Sequence, residues 1–240
     1  SSAASDVYKR QAMYVSNYTG LILTQLISIL KGSPVTNTML EVATSSNLWV
    51  NLFIMVLCAP VAEELIFRRL LIDRLAQYGE GVAVLFSGLM FGLFHGNLNQ
   101  FVYAFVLGLC FGFIYVKTGN IRYTIGLHML VNFLGSVLGV AILKWLGDDF
   151  LSVASDPAGM MSYMTGNFGK LIVYFIYIFL LLGVAIAGII LFIVNLKKIR
   201  FQPGMNTIPK GKRFSTTVLN VGMALYMIVW IVIIIVQLFQ

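Results

Sequence analysis

Glu63, Glu64, Arg68, His95, His128 and Asn132 are the side chains of this sequence best equipped for chemistry, and each lies in an otherwise apolar stretch. They fall into three short patterns: EELIFR at 63–68, FGLFH at 91–95 and HMLVN at 128–132. The chain has 2 histidines, and both are in these patterns. Ionisable groups at membrane depth are costly and by default mark a functional site.

Spacing divides the roles. Neighbouring helical positions point about 100° apart, so Glu63 and Glu64 serve different purposes. Glu64 and Arg68 are four apart, share a face, and read as an intrahelical ion pair that neutralises both charges. Glu63 points elsewhere and reads as a desolvated carboxylate suited to general base or acid work. His128 and Asn132 are one turn apart on a common face, and His95 follows Phe91 by one turn. A carboxylate that takes a proton from water, helped by a histidine, and a second His with an Asn that donate to a developing oxyanion are the equipment for peptide-bond hydrolysis. The same residues admit a metal reading. Glu63, His95 and His128 make up two histidines and a carboxylate, a catalytic zinc set with water in the fourth position. The helical HExxH motif is absent. Spacing leaves Zn2+, another divalent metal, or no cofactor all open.

The elements that must position these groups follow from composition. Of the 240 residues 59% are hydrophobic and 10% charged, against roughly 25% charged in soluble domains. Continuous apolar runs recur along the whole length, which excludes a soluble enzyme with one anchor and a β-barrel of alternating strands. The fold class is all-α: a polytopic transmembrane helix bundle. Seven spans are expected, at about 12–30, 48–76, 81–96, 99–117, 121–145, 170–196 and 215–239, with an eighth if the native start carries another. The span at 81–96 is short for a crossing. Turn signals separate the spans, and 146–169 reads as a polar loop with Asp148, Asp149, Asp156 and Pro157. No internal repeat stands out. Residues 1–11, SSAASDVYKRQ, read as a non-native leader like a translated assembly scar. Residues 12–240 read as one transmembrane domain with its catalytic core at about 48–135. Cys58 and Cys110 lack metal-ligand spacing and read as small buried hydrophobes.

The net charge of +7 does not point to nucleic acid, because no basic face alternates with base-stacking aromatics. Most of the 16 Lys and Arg fall on one side of a seven-span chain, at Lys9–Arg10, Arg68–Arg74, Lys117–Arg122 and Lys197–Arg213. Lys31, Lys144 and Lys170 fall on the other. The positive-inside rule then places the N-terminus in and the C-terminus out.

The order EE-x-x-x-R, F-x-x-x-H and H-x-x-x-N on separate membrane helices resembles the CAAX protease and bacteriocin-processing family of intramembrane proteases. This family includes the type II CAAX prenyl endopeptidases and the Abi-type bacterial proteins. The resemblance covers about 48–135, including TGNIRYTIGLHMLVNF. It implies that Glu63 activates water with help from His95, that His128 and Asn132 stabilise the oxyanion, and that Glu64 and Arg68 are structural. Family members have been described as glutamate-dependent and as metal-dependent. The implied partners are a peptide or membrane-protein substrate and the lipid bilayer, in a bacterial cytoplasmic membrane. A bacteriocin immunity factor, a scaffold or a transporter is the competing reading, since intramembrane Glu, His and Asn also line ion pathways.

Overall fold

The computed structural model describes residues 38–239 apart from 154–155, 196–198, 207, 213–214 and 217–218. The leader at 1–11 and the span at 12–30 lie outside the described residues. All regular structure among the described residues is helical. Helix α1 is Thr38–Ser45, α2 is Leu48–Tyr78, α3 is Glu80–Phe94, α4 is Leu98–Thr118, α5 is Ile121–Leu146, α6 is Asp148–Val153, α7 is Pro157–Asn195 and α8 is Val221–Leu238. Among the described residues five helices are long and apolar enough to cross a membrane: α2, α4, α5, α7 from Ala158 to Val184, and α8. The protein is an integral membrane protein.

Two of these helices are not regular α-helix throughout. Helix α2 widens to π-helical turns at Asn51–Cys58 and Leu65–Ile72, and α5 does so at Phe133–Gly139. The normal turns between the first two carry Glu63 and Glu64, and Asn132 sits where α5 begins to widen. Widened turns of this kind often occur at functional sites.

The polar loop expected at 146–169 is a correction. Its first part is α6, and α7 begins at Pro157. Asp156 accepts the backbone N–H groups of Ala158 (3.1 Å) and Gly159 (3.0 Å). Asp156-Pro157 is therefore a helix start, with an acidic cap and a proline in the first turn, where its missing N–H costs nothing. The backbone leaves helical geometry once within α7, at Asn167. Cys58 is also corrected: it is exposed on its helix surface, while Cys110 is half-buried and neither forms a disulfide.

The chain divides into two compact units. The first comprises 63–124 and 185–240 among the described segments, and the second 38–62 and 125–184. In the first unit, α3 packs along α4, and the later half of α2 packs on both. Glycine makes the α3–α4 approach close. A Cβ on Gly108 would lie 2.8 Å from the Gly88 Cα, and one on Gly92 would lie 2.9 Å from the Phe105 Cβ. Gly88–Gly92 and Gly108–Gly112 are both GxxxG, in the near-identical strings GLMFG and GLCFG, a small-residue contact of the kind that joins membrane helices. The short α3 is thus packed inside the first unit, with Val84, Ser87, Phe91 and Leu93 buried. Helix α8 lies along it: the Tyr226 hydroxyl donates to the Met90 carbonyl (2.8 Å), and Trp230 sits edge-on to Phe94 at 5.2 Å. At the far end of α3, Glu80 and Gln202 exchange two hydrogen bonds, at 3.1 and 2.9 Å.

In the second unit, the widened turns Asn51–Cys58 pack against the widened turns Phe133–Gly139. The buried Asn51 amide donates to Ala43 O (2.8 Å) and Ser136 O (3.1 Å), which ties three helices at one point. Tyr177 donates to Leu134 O at 2.8 Å. Leu146, Phe150 and Leu171 form a small apolar cluster. Much of α7 faces outward with Ile172, Phe175, Ile176, Phe179 and Leu180 exposed, as a lipid-facing helix requires.

Candidate active site

Glu64 and Arg68 are both fully buried, and Arg68 Nε lies 3.0 Å from Glu64 Oε2. Their surroundings complete the site. Arg68 Nη1 donates to Ser87 Oγ (3.3 Å), and Ser87 in turn donates to the Phe67 carbonyl (2.8 Å). The guanidinium lies 4.6 Å from the centre of the Phe91 ring and 5.6 Å from that of Phe111. A buried ion pair survives only with such extra partners, because desolvating two charges costs several kcal/mol each. Facing aromatic rings add a cation–π contribution. Phe91, the first residue of the F-x-x-x-H pattern, is therefore a wall of the ion-pair cage. Ser87 was missed in the sequence, where a lone serine in an apolar helix carries no signal.

Glu63 comes from the same turn of α2 as Glu64 but is half-buried, with its Oε2 sealed from solvent. His95 caps the end of α3. Its Nδ1 lies 2.8 Å from the Phe91 carbonyl oxygen. A carbonyl only accepts, so Nδ1 carries the proton and Nε2 is the basic nitrogen of the ring. The imidazole is held edge-on by Phe91 at 4.9 Å and by Tyr103 at 6.4 Å between ring centres.

The chain reverses just after His95. Gly96 takes a left-handed conformation, φ 64°, and a Cβ there would meet Ile233 at 3.2 Å and Trp230 at 3.3 Å. Asn97 then caps α4 by accepting the Gln100 N–H at 2.8 Å. This turn lies where one of the turn signals between spans was expected. The polar run that continues it, through Asn99, Gln100 and Tyr103, was the unread signal.

His128 and Asn132 belong to the second unit. His128 is buried on α5. Asn132 Nδ2 donates to the Met55 carbonyl at 2.7 Å, and the Asn132 carbonyl accepts from Ser136 Oγ at 2.6 Å. One proton of the Asn132 amide is thereby committed to holding α5 on α2, which leaves its second proton for other work. Among the described residues no group of three or more His, Cys, Asp or Glu side chains is gathered to hold a metal ion.

Residues 45–134 match the family model of the type II CAAX prenyl endopeptidase Rce1-like proteins. The matched segment contains all three patterns. Over that segment the chain is similar to the CAAX protease and bacteriocin-processing family, which supports the resemblance read from the three patterns. Two relatives agree. The chain is 26% identical over 122 residues to the "Putative membrane peptidase YdiL" of Bacillus subtilis strain 168, covering 50% of this chain and 49% of the relative. It is 25% identical over 151 residues to the "Membrane-embedded CAAX protease MroQ" of Staphylococcus aureus strain USA300, covering 60% of this chain and 58% of the relative. The chain thus matches somewhat over half the length of these curated relatives at most. No solved structure matches it. Of the three patterns, the first and second lie in the first unit, and the third lies in the second unit.

Proposed function

We propose that this protein is an intramembrane endopeptidase that hydrolyses a peptide bond in a peptide precursor or in the tail of a membrane protein. Glu63 takes a proton from the attacking water, and His95 assists through Nε2. His128 and Asn132 donate hydrogen bonds to the oxyanion that forms on the scissile carbonyl. Glu64 and Arg68 hold the turn that presents Glu63. The observation that carries this reading is the fixed protonation of His95: the Phe91 carbonyl holds the proton on Nδ1 and so makes Nε2 the basic nitrogen. An imidazole locked in this form suits proton transfer, and also suits ligation of a divalent metal. A divalent ion such as Zn2+ held by Glu63, His95 and His128 would need these side chains gathered as a set, which is not seen among the described residues.

The test is cleavage of a fluorogenic peptide by the detergent-solubilised protein. Glu63→Gln should abolish turnover, since its amide accepts no proton. Undiminished turnover in that variant removes Glu63 from the role assigned to it. A chelator titration in the same assay decides the metal: loss of rate restored by Zn2+ supports a resident ion, and an unchanged rate supports the metal-free route. A non-proteolytic scaffold or transporter predicts a function unaffected by Glu63→Gln and His128→Ala. The placement of Lys and Arg supports an N-terminus inside and a C-terminus outside a bacterial cytoplasmic membrane. A reporter fused after Gln240 that is active only in the cytoplasm contradicts that orientation.

A further inference from the structure

Three helix ends of the first unit meet around a cleft of about 210 Å³. The end of α2 supplies Leu75 and Tyr78, and the start of α3 supplies Val82 and Phe86. The segment leading into α8 supplies Ile208, Thr216 and Asn220. One water takes about 30 Å³ in the liquid, so the cleft is far larger than a packing gap. Leu75, Val82, Phe86 and Ile208 offer water nothing to bond, which favours an apolar occupant. Both edges of the Ile208–Asn220 wall are tied down. Just before Ile208, the Asn206 backbone N–H donates to the Gln77 carbonyl and Asn206 Nδ2 donates to Gln77 Oε1, both at 2.9 Å. Gly204 lies so close to Gln77 and Gly79 that a Cβ has no room there. At the other edge, Asn220 Oδ1 accepts the Met223 N–H at 2.9 Å and caps α8.

The cleft lies where acyl chains meet headgroups. Helices α2 and α8 are both long and apolar enough to cross the membrane; α2 ends at Tyr78 and α8 begins at Val221. Tyrosine is favoured at that level, with its ring in the apolar layer and its hydroxyl at the water. Met205, Leu219 and Val221 are exposed beside it. The rim is basic. Lys and Arg recur between α7 and α8, from Lys197 to Arg213, with no Asp or Glu among them. Lys212 is exposed, its N–H donates to the Pro209 carbonyl at 2.9 Å, and its own carbonyl accepts from Ser215 Oγ at 3.1 Å. These bonds tie it to the neighbours of Ile208 and Thr216, two residues of the cleft wall. Arg74, exposed one residue before Leu75, uses Nη1 on the Leu70 carbonyl (2.9 Å), one of five donors on its guanidinium. The carboxylates at this end are engaged elsewhere. Asp73 meets Arg69 at 3.4 Å and the Tyr115 hydroxyl at 2.8 Å, and Glu80 meets Lys117 and the Gln202 N–H. We propose that the cleft binds an anionic phospholipid, with one acyl chain among Leu75, Val82, Phe86 and Ile208 and the phosphate at Arg74 and Lys212. A neutral lipid would fill the groove without meeting the cations, and a soluble phosphate would meet the cations without filling the groove. Basic side chains at a membrane surface attract anionic lipids in this way. The bound lipid would join the α2–α3 turn to the start of α8.

Photo-crosslinking of the full chain in lipid nanodiscs tests this. The probe is phosphatidylglycerol with a diazirine in one acyl chain, compared with phosphatidylcholine carrying the same chain. Phosphatidylglycerol adducts should map to 75–86 and 208–220 and exceed those of phosphatidylcholine there by about fivefold or more. Arg74→Gln and Lys212→Gln should each cut that phosphatidylglycerol yield about fivefold and leave the phosphatidylcholine yield within about twofold. Val82→Trp fills the groove and should remove the cleft adducts of both lipids while adducts on the outward face of α7 persist. The unsubstituted protein decides the matter even where that variant does not fold. Free glycerol phosphate, which offers the headgroup charge without a chain, should not compete. Equal yields from the two lipids, adducts confined to other faces, or competition by free glycerol phosphate overturn the proposal. So does a dimer by native mass with the cleft peptides protected from both lipids, since a second copy then covers the groove. The readout needs no cleavage of peptide, so failure of the protease reading leaves the lipid result standing.

Discussion

The two units hold their buried polar groups by opposite means. In the first, charge is buried with its countercharge. Glu64 and Arg68 meet at 3.0 Å with Ser87 and two aromatic rings closing the cage. In the second, the buried tie between helices is a neutral amide against main-chain carbonyls. Asn51 reaches Ala43 O and Ser136 O, and Asn132 reaches Met55 O. The difference follows from what each must do. A charged pair leaves a large penalty if either partner is lost, so it fixes one arrangement firmly. An amide on a carbonyl contributes about 0.5–1.5 kcal/mol net, enough to brace helices whose turns are widened at Asn51–Cys58 and Phe133–Gly139. The unit with the buried ion pair carries Glu63 and His95, and the amide-braced unit carries His128 and Asn132.

The comparison breaks most readily at Arg68. Arg68→Met should lower stability by about 3–5 kcal/mol, because it leaves Glu64 buried without its countercharge. The double change Glu64→Leu/Arg68→Met should recover much of that loss, as apolar replacement of both partners often does. Thermal unfolding in detergent measures both; a single variant as stable as the double one would mean that the pair is not the strut. In the second unit, Asn51→Leu should cost less, about 1–3 kcal/mol, for two carbonyls left without a donor. If it costs as much as Arg68→Met, the contrast between the units is lost. Gly108→Val tests the α3–α4 approach. The closeness of Gly88 leaves no room for the side chain, and overpacking of this kind costs about 1–3 kcal/mol. Cysteine cross-linking of α3 to α4 would register the displacement.

The smallest effect lies at the edge of the first unit. Burial raises the Glu80 carboxyl, but Lys117 and the Gln202 backbone N–H outweigh it and hold the group below its ordinary value. A carboxylate with a depressed folded value adds stability that is present above its unfolded value, near 4.5, and lost as pH falls through the folded one. Glu80→Gln should remove this acid-side dependence and cost at most about 1 kcal/mol at neutral pH. Unfolding midpoints measured between pH 3 and 7 for both proteins check it; parallel curves would rule the linkage out.

Much of this was legible in the sequence, for reasons that differ by residue. Apolar runs must become helices in lipid, so the spans near 48–76, 99–117 and 121–145 correspond to α2, α4 and α5 within a few residues. Glu64 and Arg68 could be paired on paper because four residues return a helix to the same face. Asp156-Pro157 was misread because acid and proline mark both loops and helix starts, and only the two capping hydrogen bonds tell these apart. The GLMFG and GLCFG strings were passed over because glycine signals contact only when a partner helix is known.

By itself the sequence determined the membrane class, the order of the three patterns and the local pairings within a helix, since each depends on composition or on spacing along one segment. Tertiary structure alone decided what those groups meet. It brought Ser87, Phe91 and Phe111 around Arg68, placed Tyr103 beside His95, and committed one proton of Asn132 to Met55. Such contacts join residues tens of positions apart, and whether a buried polar group is satisfied depends on neighbours that only packing supplies.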